Sequence, residues 1–205
     1  AQHPAQRAQG QAHDGEIITL KVADEHGAVA LDAVAAGLVH GFAGGDIGAD
    51  LFVRERAERH AGDDGLRLGP LAAADGLIVG PPVHYASPAG ALLAFLDRMF
   101  YAGADRFAHK PAAAFTSARR AGTTATLDVI NKYFTISQMP VVSSTYWNMV
   151  HGGRAEDAQQ DAEGLQTARN LARNMAWLLS CIEAGRAAGI EPPENESGSR
   201  TNFIR

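Results

Sequence analysis

The sequence predicts an α/β fold, a parallel sheet covered by helices on both faces. Three observations carry that prediction. Leu77–Ile78–Val79 is a short apolar run bounded by Gly76 and Gly80, the pattern of a strand buried on both sides. Helical periodicity follows it, with Leu92, Leu93, Leu96, Met99 and Phe100 returning to one face. The alternation then repeats: the apolar stretch Pro111–Ala118 (PAAAFTSA) precedes a segment whose Leu127, Ile130, Tyr133 and Phe134 share a second apolar face.

The remaining elements follow in order. Leu20, Val22 and Val29 suggest a helix over 16–31 and Val34–Phe42 a strand, while Gly44–Asp64, poor in apolar residues, reads as surface loop or broken helix. Ser87–Pro88 is a helix start, with Ser as N-cap and Pro at the first helical position. Thr123 or Thr124 caps the next helix. Pro140–Tyr146 (PVVSSTY) is a third strand that opens into the loop Trp147–Gly153. A long helix from Glu156 to Ala188 places Leu165, Ala168, Ala172, Met175, Leu179 and Ile182 on its apolar stripe, with Cys181 as inert packing on the same side. There is no internal repeat and no separating linker, so residues 1–188 read as one domain and 189–205 as a polar tail.

Composition narrows the function classes. A chain of 205 residues, 46 % apolar and 20 % charged, can bury a substantial core. Its net charge of −5 offers no basic footprint for nucleic acid or for an anionic membrane. No apolar run approaches the roughly 20 residues that span a bilayer. The opening AQHPAQRAQGQAHDG has no apolar centre, so no secretory signal is expected. Cys181 is the single cysteine, which rules out an internal disulfide and any cysteine-rich zinc or iron–sulfur site and leads us to expect a reducing, cytoplasmic setting. The histidines show no ligand spacing, so no metal site is expected.

In sheets of this kind ligands bind beyond the carboxyl ends of the strands. Three stretches meet that condition. Pro81–Ser87 combines two stiffening prolines with His84 and Tyr85, which read as a flat, polar slot or as a plain strand-to-helix turn. Ser117–Thr124 (SARRAGTT) joins hydroxyls and two cations to a helix N-terminus, suiting an anion or amounting to a solvated arginine pair beside a cap. Trp147–Gly152 (WNMVHG) sets large, rigid and polar groups in a loop, unusual for solvent-facing chain.

The runs ADGLIVGPPVHYASPAGALLAFLDRMFY, KPAAAFTSARRAGTTATLDVINKYFTISQMPVV and SSTYWNMVHG cover most of residues 72–153. They resemble the NADPH-dependent FMN reductase family, including its multimeric branch related to iron–sulfur flavoproteins. The resemblance implies a flavodoxin-like three-layer sandwich with a five-stranded parallel sheet in the order 2-1-3-4-5 and FMN at the switch point. By position, Pro82, Val83, His84, Tyr85 and Ser87 would line the isoalloxazine, and Ser117, Ala118, Arg119, Arg120 and Gly122 would approach its pyrimidine side. Trp147, Asn148 and His151 would stand at the site mouth or a subunit contact. His84 or His151 could relay a proton, and no other catalytic residue is assigned.

The implied activity is electron transfer from NAD(P)H through bound FMN to a quinone or other small acceptor, by a homodimer or homotetramer that binds neither nucleic acid nor membrane. A flavodoxin-type carrier without its own NAD(P)H turnover, and an FMN-free scaffold, are the alternatives. Two departures from the family pattern stand out. The loop that wraps the FMN phosphate aligns with Ala8–Glu16, where its Ser/Thr hydroxyls are missing and no apolar first strand precedes it. The cluster cysteines of iron–sulfur relatives would fall near Asp50–Arg56, where there are none, so no iron–sulfur cluster is expected.

Overall fold

The computed structural model describes residues 16–20, 52–56 and 73–201. Their elements run β1 (Glu16–Leu20), β2 (Phe52–Arg56), β3 (Gly76–Gly80), β4 (Val83–His84), β5 (Ser87–Pro88), α1 (Gly90–Gly103), a 3-10 turn (Ala104–Phe107), β6 (Ala112–Ala114), β7 (Thr116–Ala118), α2 (Thr123–Ile136), β8 (Met149–His151), α3 (Ala155–Ala158) and α4 (Ala162–Ala187).

Because side chains alternate along a strand, β3 serves two cores at once. Leu77 and Val79 join Ala112 and Ala114 on one face, where α1 adds Leu92, Leu96, Met99 and Phe100, and α2 adds Leu127, Ile130 and Phe134. Ile78, Ala113 and Phe115 face the other way, beneath Ala168, Leu171, Ala172, Met175 and Leu179 of α4. The helix–sheet–helix layering predicted from the periodicity is present.

The sheet is mixed where an all-parallel one was expected. Its described order is β2-β1-β3-β6, and β3 pairs parallel with β6. β1 runs antiparallel to both neighbours, in a register that sets Glu16 beside Arg56 and Gly80, and Leu20 beside Phe52 and Gly76. Antiparallel ladders make straight hydrogen bonds and are at least as stable per residue, so the reversal carries no local penalty. β7 and β8 form a separate parallel pair.

Several predicted boundaries move. Glu16–Leu20 is strand rather than the start of a helix, because Ile17, Ile18 and Thr19 are a β-branched run that prefers a pleated surface. Phe52–Arg56 is strand rather than loop; it lies at the end of the described sheet order, where charged residues such as Arg54, Glu55 and Arg56 suit an edge. The expected strand over 34–42 lies outside the described residues. Ser87 and Pro88 do not cap α1 but pair with His84 and Val83 across the two-residue turn Tyr85–Ala86, so the helix begins two residues later, after Ala89.

Pro111–Ala118 is split, because Phe115 bonds Val79 O between β6 and β7. In the expected third strand only Val141 forms a bridge, with Ala112. The regular pairing comes later, at Met149–His151, because Ser143–Thr145 is drawn onto α4 instead. There Ser144 Oγ donates to Thr167 O (2.7 Å), Asn170 Nδ2 to Thr145 Oγ1 (3.0 Å) and Asn174 Nδ2 to Ser143 O (2.8 Å). Cys181 is exposed on α4, off the buried stripe that ends at Leu179.

The expected long helix breaks into α3 and α4 at Asp161, whose carboxylate caps the second. Its Oδ1 accepts from Gly164 N at 2.9 Å and its Oδ2 from His151 N at 2.7 Å. Gly164 leaves room for this: a Cβ there would lie 2.6 Å from Asp161 Oδ2 and 3.0 Å from Met149 O. Gly164→Ala gains about 1 kcal/mol of helix propensity. It also introduces overpacking worth about 1–3 kcal/mol and disturbs a cap worth about 1 kcal/mol. The expected result is a net loss of about 1–2 kcal/mol in denaturant unfolding, against the direction of propensity.

On the opposite face Tyr133 of α2 donates its phenol to Asp97 Oδ1 of α1, and its ring lies 5.6 Å from Phe100. Burial raises the phenol to about 12, and the hydrogen bond to Asp97 and that carboxylate's charge act in the same direction. The unfolded chain therefore releases this proton near pH 10 while the folded one keeps it. The contribution is complete below pH 10 and is lost as pH rises through about 12. Tyr133→Phe should show a smaller fall in stability across that window than the native chain, measured by urea unfolding at stepped pH.

Candidate flavin site at the strand ends

The chain brings the first two predicted loops together at the carboxyl edge of β3 and β7. Pro82 forms a parallel bridge with Ser117, and Thr116 Oγ1, wholly buried, donates to Pro81 O at 2.8 Å. The β4–β5 hairpin then folds over the N-terminus of α2, and Gly122 is the seat. Gly122 has φ of 96°, and a Cβ on it would meet Val83 Cγ1 at 2.7 Å and Ala86 Cα at 3.5 Å. Neither Thr123 nor Thr124 caps α2; the positive φ that glycine accepts starts the helix, and Gly122 itself brings no side-chain cap. Among the described residues no side chain caps the leading N–H groups of α2, which lie next to Arg119 and Arg120, both exposed.

At the hairpin tip Tyr85 is fully exposed with φ of 61°, while His84 and Ser87 are exposed and Pro82 and Val83 half-buried. A tyrosine in the left-handed region costs about 1–2 kcal/mol, and this ring gains no packing in return. Such strain is tolerated where a side chain must be presented.

The third loop is divided. β8 lies parallel to β7 with His151 opposite Ala118, and Gly152 N donates to Ala118 O at 3.0 Å, so His151 reaches the same edge as Arg119. Trp147 and Asn148 precede β8 rather than follow a strand, at the level of Phe115 and Thr116. Asn148 acts as a rung there: its Nδ2 donates to Ala114 O at 3.0 Å and its carbonyl accepts from Thr116 N at 2.9 Å. Trp147 is exposed against Tyr146, ring centroids 5.1 Å apart.

One edge therefore holds Pro82–Ser87, half-buried Ser117, buried Ala118, Arg119, Arg120, Gly122 and His151. A flat aromatic face, a hydroxyl, two cations and open helix N–H groups match the needs of an aromatic heterocycle with a polar, electron-rich edge. The described residues fit the ring portion of FMN. The stretch aligned with the phosphate loop, Ala8–Glu16, lies outside them except for Glu16. Sequence reading also passed over Asp161, although an Asp three residues before Gly164 at the head of an apolar stripe is an N-cap signal.

The family model of NADPH-dependent FMN reductases matches residues 5–154. The chain belongs to this family. An iron-sulfur flavoprotein of Methanocaldococcus jannaschii is 29 % identical over 124 residues, which are 57 % of this chain and 64 % of that protein. The chain thus spans somewhat under two thirds of that relative. A flavodoxin, WrbA-like protein from Agrobacterium tumefaciens overlaps 54 % of this chain and 69 % of its own, at 22 % identity and a TM-score of 0.47. A flavodoxin from the domain Archaea overlaps 73 % and 88 %, at 16 % identity and a TM-score of 0.46. Among the described residues no helix is long and apolar enough to cross a membrane, and no group of three or more His, Cys, Asp or Glu could hold a metal ion.

Tyr85→Gly removes the left-handed penalty of about 1–2 kcal/mol and adds roughly 0.5–1 kcal/mol of unfolded-state entropy. With no packing to lose, the variant should be more stable than the native chain by a few tenths to about 1 kcal/mol in denaturant unfolding.

Proposed function

We propose that this chain is an FMN-dependent oxidoreductase that moves electrons from NAD(P)H to a quinone or another small acceptor. One observation carries the reading: the β4–β5 hairpin, the β7–α2 turn and the end of β8 meet at one sheet edge with a ring-presenting Tyr85, paired cations and an uncapped helix start. Family membership supports the same assignment. When bound, FMN would supply the two-electron chemistry.

The protein's own part is to hold and polarise. Tyr85 offers a flat face, Ser117 a hydroxyl, and Arg119 and Arg120, with the head of α2, a positive potential favouring negative charge on the ring edge. Pro82, Val83, Ala118 and Gly122 shape the slot, and His84 and His151 are the titratable groups at its rim. Trp147 stands lower, on the surface beside β7, where it suits contact with a second copy in a homodimer or homotetramer. The reading is of a cytoplasmic enzyme without an iron–sulfur cluster, since the sequence contains one cysteine and that residue is exposed.

The test is the absorption spectrum of the purified chain with and without added FMN, followed by NAD(P)H oxidation with a quinone. Flavin bands and steady turnover are expected. Flavin bands without turnover would make it an electron carrier, and a colourless protein that takes up no FMN would make it a scaffold. Tyr85→Gly should weaken FMN binding by about tenfold, in line with about 1–1.5 kcal/mol for one aromatic pair.

A further inference from the structure

Asp161 does more than cap α4. Its carboxylate is fixed by two backbone donors, Gly164 N on Oδ1 and His151 N on Oδ2, and the missing Cβ of Gly164 keeps that position open. The same Oδ2 lies 3.8 Å from Nδ1 of the His151 ring. That is beyond hydrogen-bond length, but it is well inside the range where a carboxylate repels a nitrogen lone pair and attracts an N–H. In an imidazole the two nitrogens face apart, so with Nδ1 turned to Asp161, Nε2 is turned away from it. The His151 side chain is 43 % exposed, against 21 % for Asp161. Charged groups on the surrounding segments are Arg119 and Arg120 after β7, Arg154 after β8, Glu156 and Asp157 on α3 and Glu163 on α4. Among the described residues only Asp161 comes within ion-pair distance of the ring.

We infer that Asp161 is a positioning residue that holds His151 as its Nδ1–H form, so that Nε2 stands at the site edge as the proton carrier of the reaction. This rests on the electron-transfer reading above. Reduction of a quinone by NAD(P)H transfers two electrons and one proton from the donor and takes one further proton from water. Nε2 of His151 delivers that second proton to an acceptor oxygen and is recharged from solvent. His84, the other candidate, lies on the exposed hairpin with no carboxylate recorded against its ring among the described residues.

The positioning half is read without any ligand. In the ligand-free protein labelled with ¹⁵N-histidine, the nitrogen shifts of His151 should report Nδ1–H as the main neutral form. Asp161→Ser keeps a capping hydroxyl for Gly164 N but removes the carboxylate, and should move the population toward Nε2–H. An Nε2–H majority in the native chain would overturn the assignment. So would an unchanged population in a folded Asp161→Ser protein.

The carrier half uses His151→Gln, which leaves Asp161 and its cap in place should Asp161→Ser fail to fold. Quinone reduction should fall at least about a hundredfold, the low end for a positioned proton donor. The limb of the pH profile that follows imidazole deprotonation should disappear, while the flavin spectrum stays native. A native rate with a native pH profile in His151→Gln would refute proton delivery. A native chain that never oxidises NAD(P)H would refute the enzyme reading, and proton delivery with it, while the tautomer result would still stand on its own.

Discussion

The contact on which the rest of this structure most depends is the double acceptance by the Asp161 carboxylate. One oxygen starts α4, the long helix over the second face of the sheet. The other closes the backbone at the end of β8. A 26-residue helix with seven buried positions and a three-residue strand are thereby held in one register by a single side chain. The three polar links from α4 to residues 143–145 take up from there and fix the segment that leads into β8. Removing the carboxylate would take the acceptor from both backbone donors, Gly164 N and His151 N, at once.

The site edge is built on the opposite principle. Its residues are held less by burial than by backbone geometry that most side chains disfavour: a left-handed Tyr85 at a hairpin tip and a left-handed Gly122 beneath it. The hairpin rests on the glycine because nothing larger fits between them and Val83. A rigid three-layer body thus carries a small, strained rim. That division is common where a ligand must be gripped by groups that cannot pack against one another first.

How much of this was legible in the sequence follows from what each segment had to satisfy. β3, α1, α2 and the core face of α4 answer to burial alone, so their apolar spacing gave them away. β1 was misread because Val22 and Val29, seven apart, mimic helical spacing, although Ile17, Ile18 and Thr19 carried the strand signal. β2 is mostly charged, as an edge permits, and its apolar trace is confined to Phe52 and Val53. The hairpin at Ser87–Pro88 carries the same residues as a helix start, and only the pairing partner three to five residues earlier decides between the two. Asn148 looked like a ligand-facing polar residue, yet its amide serves Ala114 O, a long-range bond that no local pattern announces. Of the candidate site, the two loops around Tyr85 and Arg119 were readable from strand-end position, and the division of the third by β8 was not.

The reversed direction of β1 changes which part of the chain can reach the site. In an all-parallel sheet the residues leaving the first strand arrive at the ligand edge, usually with a helix N-terminus behind them. Here Leu20, the exit, is level with Gly76 at the far end of β3, while Glu16, the entrance, is level with Gly80 and hence next to Pro81. The entrance of β1, not its exit, is therefore the end that stands at the candidate site edge. The backbone level with Pro81 across this pairing thus belongs to the first residue of β1, where a parallel neighbour would set its last.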